Sequence, residues 1–302
     1  MDVLATFAFI LVTLAIGRVL SWRRIVPDNA ADSLNLVVLF VCLPAAVLLY
    51  APKLTLEREL LGLVAIPWIV LLASTVLVTI VARISRMQGD ARACLLVQIP
   101  LGNTSFIGYA VVPVLAGAGA LRYAVVYDQL GTFLILVTWG LMAIALYSGG
   151  ERPTALAILR RIATFPPFLA LLAALTVVPA ELPVAVERSL HLFADALLPI
   201  VVLALGMQLR LRVPRRHVLP LAMGLLAKLV LMPLLALALA TLFGLTGEVR
   251  AVAVYLTAMP PMVTSGALLA LAGIAPELAV ALVGYGIVAS MLTLPMWYLV
   301  LG

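Results

Sequence analysis

Apolar residues run along this chain in stretches of roughly 20, the length that crosses a bilayer as one helix. Ten such stretches can be marked, at residues 3–20, 32–50, 60–82, 92–117, 121–147, 163–178, 188–208, 217–243, 248–273 and 277–300. Backbone polar groups cannot face lipid unpaired, so each stretch is predicted to be helical. The first is read as a retained span and not as a signal peptide. It follows Asp2, lacks a basic leading region, and is followed by Arg18, Arg23 and Arg24.

Composition agrees. The 302 residues are 65% hydrophobic and only 11% charged, where a soluble domain carries about 25% charged residues. So few charges cannot cover a water-facing surface. Length alone would suggest about two domains, and a bundle of spans fits better. Cys42 and Cys94 form no CxxC pair and suggest no disulfide framework.

The net charge of +6 is dispersed between the spans, which argues against a nucleic-acid face. Arg18, Arg23, Arg24, Arg83, Arg86, Arg92, Arg152, Arg160, Arg161, Arg210, Arg212, Arg215 and Arg216 fall on one set of loops. Only Lys53, Arg58, Arg122, Arg188 and Arg250 fall on the other. The richer side is expected to be cytoplasmic, with both termini outside.

The stretch 148–162, with Gly149, Gly150 and Pro153, is the one candidate linker. It divides the chain into 1–147 and 163–302, five spans each. An odd number of spans per half puts the halves in opposite orientations. Two matches suggest an inverted repeat. Ser33-Leu-Asn-Leu36 with Leu43-Pro44 parallels Ser189-Leu-His-Leu192 with Leu198-Pro199. Pro100-Leu-Gly-Asn-Thr-Ser105 parallels Pro260-Pro-Met-Val-Thr-Ser265. Inverted repeats with interrupted spans in matching positions mark secondary transporters. The expected fold class is therefore all-α and polytopic: ten transmembrane helices as two inverted five-helix repeats, with broken, crossing fourth and ninth helices.

The two interruptions carry the chemistry. Proline removes a backbone donor and clashes with the preceding turn, and such a break is tolerated at membrane depth only against protein or a watery cavity. Half-helices starting near Thr104 and Thr264 would point their amino ends at the break, where amides and the helix dipole attract anions. Pro100, Asn103, Thr104, Ser105, Pro260, Thr264, Ser265 and Gln98 are the candidate substrate-binding residues. A plain proline kink with back-bonded hydroxyls would account for one break. Two alike favour a binding site.

Gly102-Asn-Thr-Ser-Phe-Ile-Gly-Tyr109 resembles the fourth-span motif of the auxin efflux carrier family. Ala258-Met-Pro-Pro-Met-Val-Thr-Ser265 is similar to its ninth. Ala194-Asp-Ala-Leu-Leu-Pro199, continuing to Leu205-Gly-Met-Gln-Leu209, resembles its seventh span. Leu282-Val-Gly-Tyr-Gly286, followed by Leu292-Thr-Leu-Pro-Met-Trp-Tyr298, resembles its last. Ala110 departs from the pattern, where many relatives have proline, and leaves the Asn-Thr-Ser break intact. The resemblance implies crossing of spans 4 and 9 near the membrane centre. It also implies transport of organic anions, as by plant auxin carriers and bacterial malate-permease-like members. The linker is too short for the long cytoplasmic loop of many plant carriers.

Ionisable residues inside spans are costly and are site candidates by default. Asp128 and Asp195 lie roughly 10 Å deep at the helical rise, and Lys228 lies near the middle of span 8. These are the candidate coupling or charge-pair residues. A carboxylate at that depth could couple a proton, and Asp195 is the expected carrier; a fixed ion pair is the alternative role of Asp195, and snorkelling or local hydration that of Asp128. Lys228 is expected to pair with Asp195 or to meet an anionic substrate. Gln129 and Gln208 either line the site or bridge helices, and His191 is expected at the interface.

No P-loop, metal-ligand spacing or catalytic constellation is present in the sequence, and His191 and His217 are far apart. No enzyme activity, cofactor or metal is expected. The reading is a secondary carrier of small carboxylates in the cell (inner) membrane, coupled to a proton or sodium, with a homodimer left open. Its alternatives are a sodium-coupled organic anion symporter of the bile-acid carrier type and a non-transporting membrane receptor.

Overall fold

The computed structural model describes residues 3–54, 58–87, 89–150 and 153–301; Asp2 and Arg152 lie outside them, as does the side chain of Arg58. The described residues are mostly helical and hold no strand, only an isolated bridge between Gly102 and Pro261. The helices are α1 (Val3–Trp22), α2 (Ala30–Lys53), α3 (Arg58–Ile84), α4 (Gly89–Gln98), α5 (Thr104–Ala116), α6 (Ala118–Ser148), α7 (Ala155–Ala163), α8 (Pro166–Thr176), α9 (Val184–Gln208), α10 (Arg215–Leu242), α11 (Gly247–Thr257), α12 (Val263–Leu271) and α13 (Pro276–Leu301).

Seven of these, α1, α2, α3, α6, α9, α10 and α13, are long and apolar enough to cross a bilayer. The pair α7 and α8 passes the same test together but is bent by 66°. The bend follows from Pro166 and Pro167, which open α8 where their missing amides cost least. Much of the expected linker is thus helix α7, capped by Thr154, whose Oγ1 accepts from the Ala157 amide at 3.2 Å. Apolar side chains such as Leu72, Val76 and Ile80 stay exposed four residues apart on one face of α3. In water such a stripe would be a liability; against lipid it is at rest.

Packing cuts across the two halves of the chain. α1 lies along α9, and α2 packs on α8 and α9. The α1–α9 contact is backbone against backbone. A Cβ on Gly17 would stand 2.3 Å from the Leu203 carbonyl oxygen, and one on Gly206 equally close to that of Leu14. The other set joins α3, α4, α6, α10, α11 and α13, with α12 against α13. Each set takes helices from both halves. The two halves of the chain are therefore interleaved. Where α1, α9, α5 and α13 meet, Ile10, Leu14, Ile107, Val202 and Met291 form an apolar seam. Toward Arg18 and Arg210 the two sets part around a cavity of about 590 Å³.

Candidate functional site

The site begins with missing donors. Pro100 offers no amide to the Leu96 carbonyl, so α4 ends at Gln98; Pro260 and Pro261 offer none to Leu256 and Thr257, so α11 ends there. The two irregular stretches then satisfy each other. The Asn103 amide donates to the Pro260 carbonyl at 2.8 Å, and the Met262 amide to the Leu101 carbonyl at 3.0 Å. This pairing is the crossing of the two breaks, and it keeps buried backbone groups bonded. Close approach needs glycine: a Cβ on Gly286 would lie 2.5 Å from Cδ of Pro261. The freed Leu96 carbonyl accepts from the Trp139 indole at 3.5 Å.

Beyond the first break, α5 opens with a widened turn, Thr104–Gly108. Asp128 on α6 is completely buried beside it. Its carboxylate accepts from Thr104 Oγ1, from Ser105 Oγ at 2.7 Å, from Tyr109 Oη at 3.1 Å and from Gln129 Nε2 at 2.7 Å. A buried charge is costly unless hydrogen-bonded. Four donors and the positive end of α5 offset that cost. The widened turn Asp128–Thr132 on α6 is supported in turn by the Trp68 indole, which donates to the Leu130 carbonyl at 3.1 Å.

Gln98 ties the second break to the first. Its Oε1 accepts from Ser265 Oγ at 3.1 Å, and its Nε2 donates to the Ala279 carbonyl at 3.3 Å. Tyr127 and Thr257 share a further hydroxyl bond of 2.8 Å between α6 and α11. Asn103 Oδ1 accepts the Ile107 amide at 3.4 Å. Its Nδ2 is buried and has no partner. Asn103 lines a cavity of about 130 Å³, with Ser105, Phe106, Met262 and Thr264. Phe106 and Thr264 also line a neighbouring cavity of about 150 Å³, which shares Val263 with the large one toward Arg18.

Lys228 reaches the crossing from behind. It is 1% exposed, sits in the widened turn Ala227–Leu231 of α10, and lines none of these three cavities. A Cβ on Gly102 would stand 3.0 Å from its Nζ and 3.2 Å from the Leu256 carbonyl oxygen. Among the described residues Lys228 has no ion-pair or hydrogen-bond partner. The Leu229 carbonyl, freed by Pro233, accepts from the Trp297 indole at 3.0 Å.

Pro100, Pro260, Gln98, Asn103, Thr104, Ser105, Thr264, Ser265, Asp128 and Lys228 therefore meet at one crossing. Asp195 does not. It is exposed on α9 and forms no pair with Lys228, because depth along a helix says nothing of which way a side chain turns. Gln208 donates to Asp32 at 3.2 Å, His191 makes an edge contact with Tyr50, and His217 lies 3.6 Å from Glu277. The sequence reading missed the roles of Tyr109 and Trp139. The proline-to-carbonyl spacing of four residues points to the need for a donor such as Trp139, though not to which residue supplies it.

An uncharacterized transporter of Methanothermobacter thermautotrophicus is 29% identical over 98% of this chain and 97% of its own length. An uncharacterized transporter of Methanocaldococcus jannaschii is 23% identical over 66% of this chain and 67% of its own. The family model described as membrane transport protein matches residues 2–155 and 152–298. The chain is an integral membrane protein and belongs to the membrane transport protein family, the auxin efflux carrier family that its broken-span motifs resemble.

Proposed function

We propose that this transporter is a secondary carrier of small organic anions, auxin-like or malate-like carboxylates, working by alternating access. The observation that carries the reading is the Asn103 amide. It is a buried donor without an acceptor, on a residue that lines a cavity at the amino end of α5 together with Ser105 and Thr264. A buried donor left unpaired costs about 1–3 kcal/mol. A carboxylate would remove that cost and meet the dipole of the half-helix.

Counting α4–α5, α7–α8 and α11–α12 as one crossing each gives ten spans, arranged as two inverted repeats at 1–147 and 163–302. The arginine-rich face is cytoplasmic, both termini lie outside, and the membrane is the cell (inner) membrane. In that orientation the wide cavity opens to the cytoplasm and the apolar seam closes the outer side. The set holding the crossing shifts against α1, α2, α8 and α9 to exchange the two. The substrate gradient or membrane potential drives the cycle, with Asp128 as the buried acid for a coupled proton.

Proteoliposomes tested with L-malate, acetate and indole-3-acetate check the reading. At least one should enter, and Asn103→Ala should reduce its flux more than tenfold with the fold retained. Unchanged flux in Asn103→Ala would sink the assignment. Binding without counterflow would favour a receptor.

A further inference from the structure

We infer that Lys228 is a built-in cation, standing where a carrier of this kind would otherwise bind a coupling metal ion. In secondary transporters with broken spans, unwound carbonyls and half-helix carboxyl ends hold the coupling cation, while amino ends face the anionic substrate. The second break offers those carbonyls. Pro260 and Pro261 remove the regular helical donors for Leu256 and Thr257 at the carboxyl end of α11, the negative end of its dipole, and the Leu256 oxygen keeps only the Met259 amide at 3.3 Å. At the first break the matching carbonyl, that of Leu96, is met by the Trp139 indole. At the second, the ammonium of Lys228 and the Leu256 oxygen flank one point, 3.0 and 3.2 Å from a Cβ position that Gly102 leaves empty.

A buried ammonium with no carboxylate partner is expensive, so its place in the fold calls for a reason. Lys228 does not line the substrate cavity, so a direct contact with substrate is not that reason. Its charge instead balances the carbonyl-rich side of the crossing, as Asp128 balances the amino end of α5. The carrier then needs no sodium to organise its second break. The inference stands apart from the choice of substrate, and its test uses none.

Purified protein is melted in detergent in choline, sodium or methylammonium chloride at one ionic strength. Wild-type Tm should be the same in all three. Lys228→Ala opens room for a small cation, and a ligand that binds only the folded state raises Tm. Sodium or methylammonium should raise the Tm of Lys228→Ala by about 3 °C or more over choline. Lys228→Arg, which keeps the charge, and Lys228→Met, which fills the space, should show no such rise. A sodium-dependent rise in wild type, or indifference of Lys228→Ala to both cations, overturns the inference. If Lys228→Ala cannot be purified folded in choline, recovery with sodium or methylammonium throughout supports it, and recovery with neither overturns it. A failed cation response leaves the Asn103 flux test untouched, and the reverse also holds.

Discussion

The two breaks share a backbone and differ in charge. Each follows proline, and each lends the other one hydrogen bond, from Asn103 to Pro260 and from Met262 to Leu101. The first is closed by an acid: Asp128 gathers the hydroxyls of Thr104, Ser105 and Tyr109 and the amide of Gln129. The second is faced by a base, Lys228, that makes no comparable bonds among the described residues. The positive end of one half-helix thus has a carboxylate, and the negative end of another has an ammonium. Charge is placed by the dipoles of the broken helices more than by a pairing of acid with base.

The comparison breaks most readily at the acid. Asp128→Ala leaves several buried donors without an acceptor, at about 1–3 kcal/mol each. A fall in stability of at least about 3 kcal/mol is expected by thermal melting. A wild-type Tm would mean that the four contacts are incidental. Next comes Gly102→Ala, whose methyl meets Lys228 Nζ and the Leu256 oxygen at once. Crowding of this kind costs about 1–3 kcal/mol. Combining it with Lys228→Ala should recover part of the loss, a coupling that a double-mutant cycle reads directly. Strict additivity would separate the lysine from the crossing.

Smaller effects sharpen the picture. Trp139→Phe removes the donor to the Leu96 carbonyl and should cost about 1 kcal/mol in the same melts. Thr264→Ala touches an exposed hydroxyl and should change stability by no more than about 0.5 kcal/mol. Its carboxylate flux should nonetheless fall. Equal flux would remove the second break from the substrate path.

Much of this was legible beforehand in local chemistry. Pro100, Pro260 and the polar residues after them announced both breaks, because proline's missing donor acts within one turn. Pro166 and Pro167 could have announced the bend before α8 by the same logic. What was not legible is rotation about a helix axis and packing at a distance. Asp195 and Lys228 lie at plausible depths for a pair, yet Asp195 turns outward. Asp128 reaches Thr104, 24 residues away, through the packing of α6 on α5, which periodicity does not encode. The sorting of helices into two interleaved sets depends on close contacts such as Gly17 against Leu203, and no local pattern reveals such a partner.

The central claim is that the crossing binds and moves a carboxylate through the Asn103 amide. Counterflow tests it most directly. Proteoliposomes loaded with an unlabelled carboxylate, under no ion gradient, are given the same compound in labelled form. Wild type should accumulate label transiently, and Asn103→Asp, which turns the donor into a repelling acceptor, should not. Accumulation by Asn103→Asp at the wild-type rate would contradict the account.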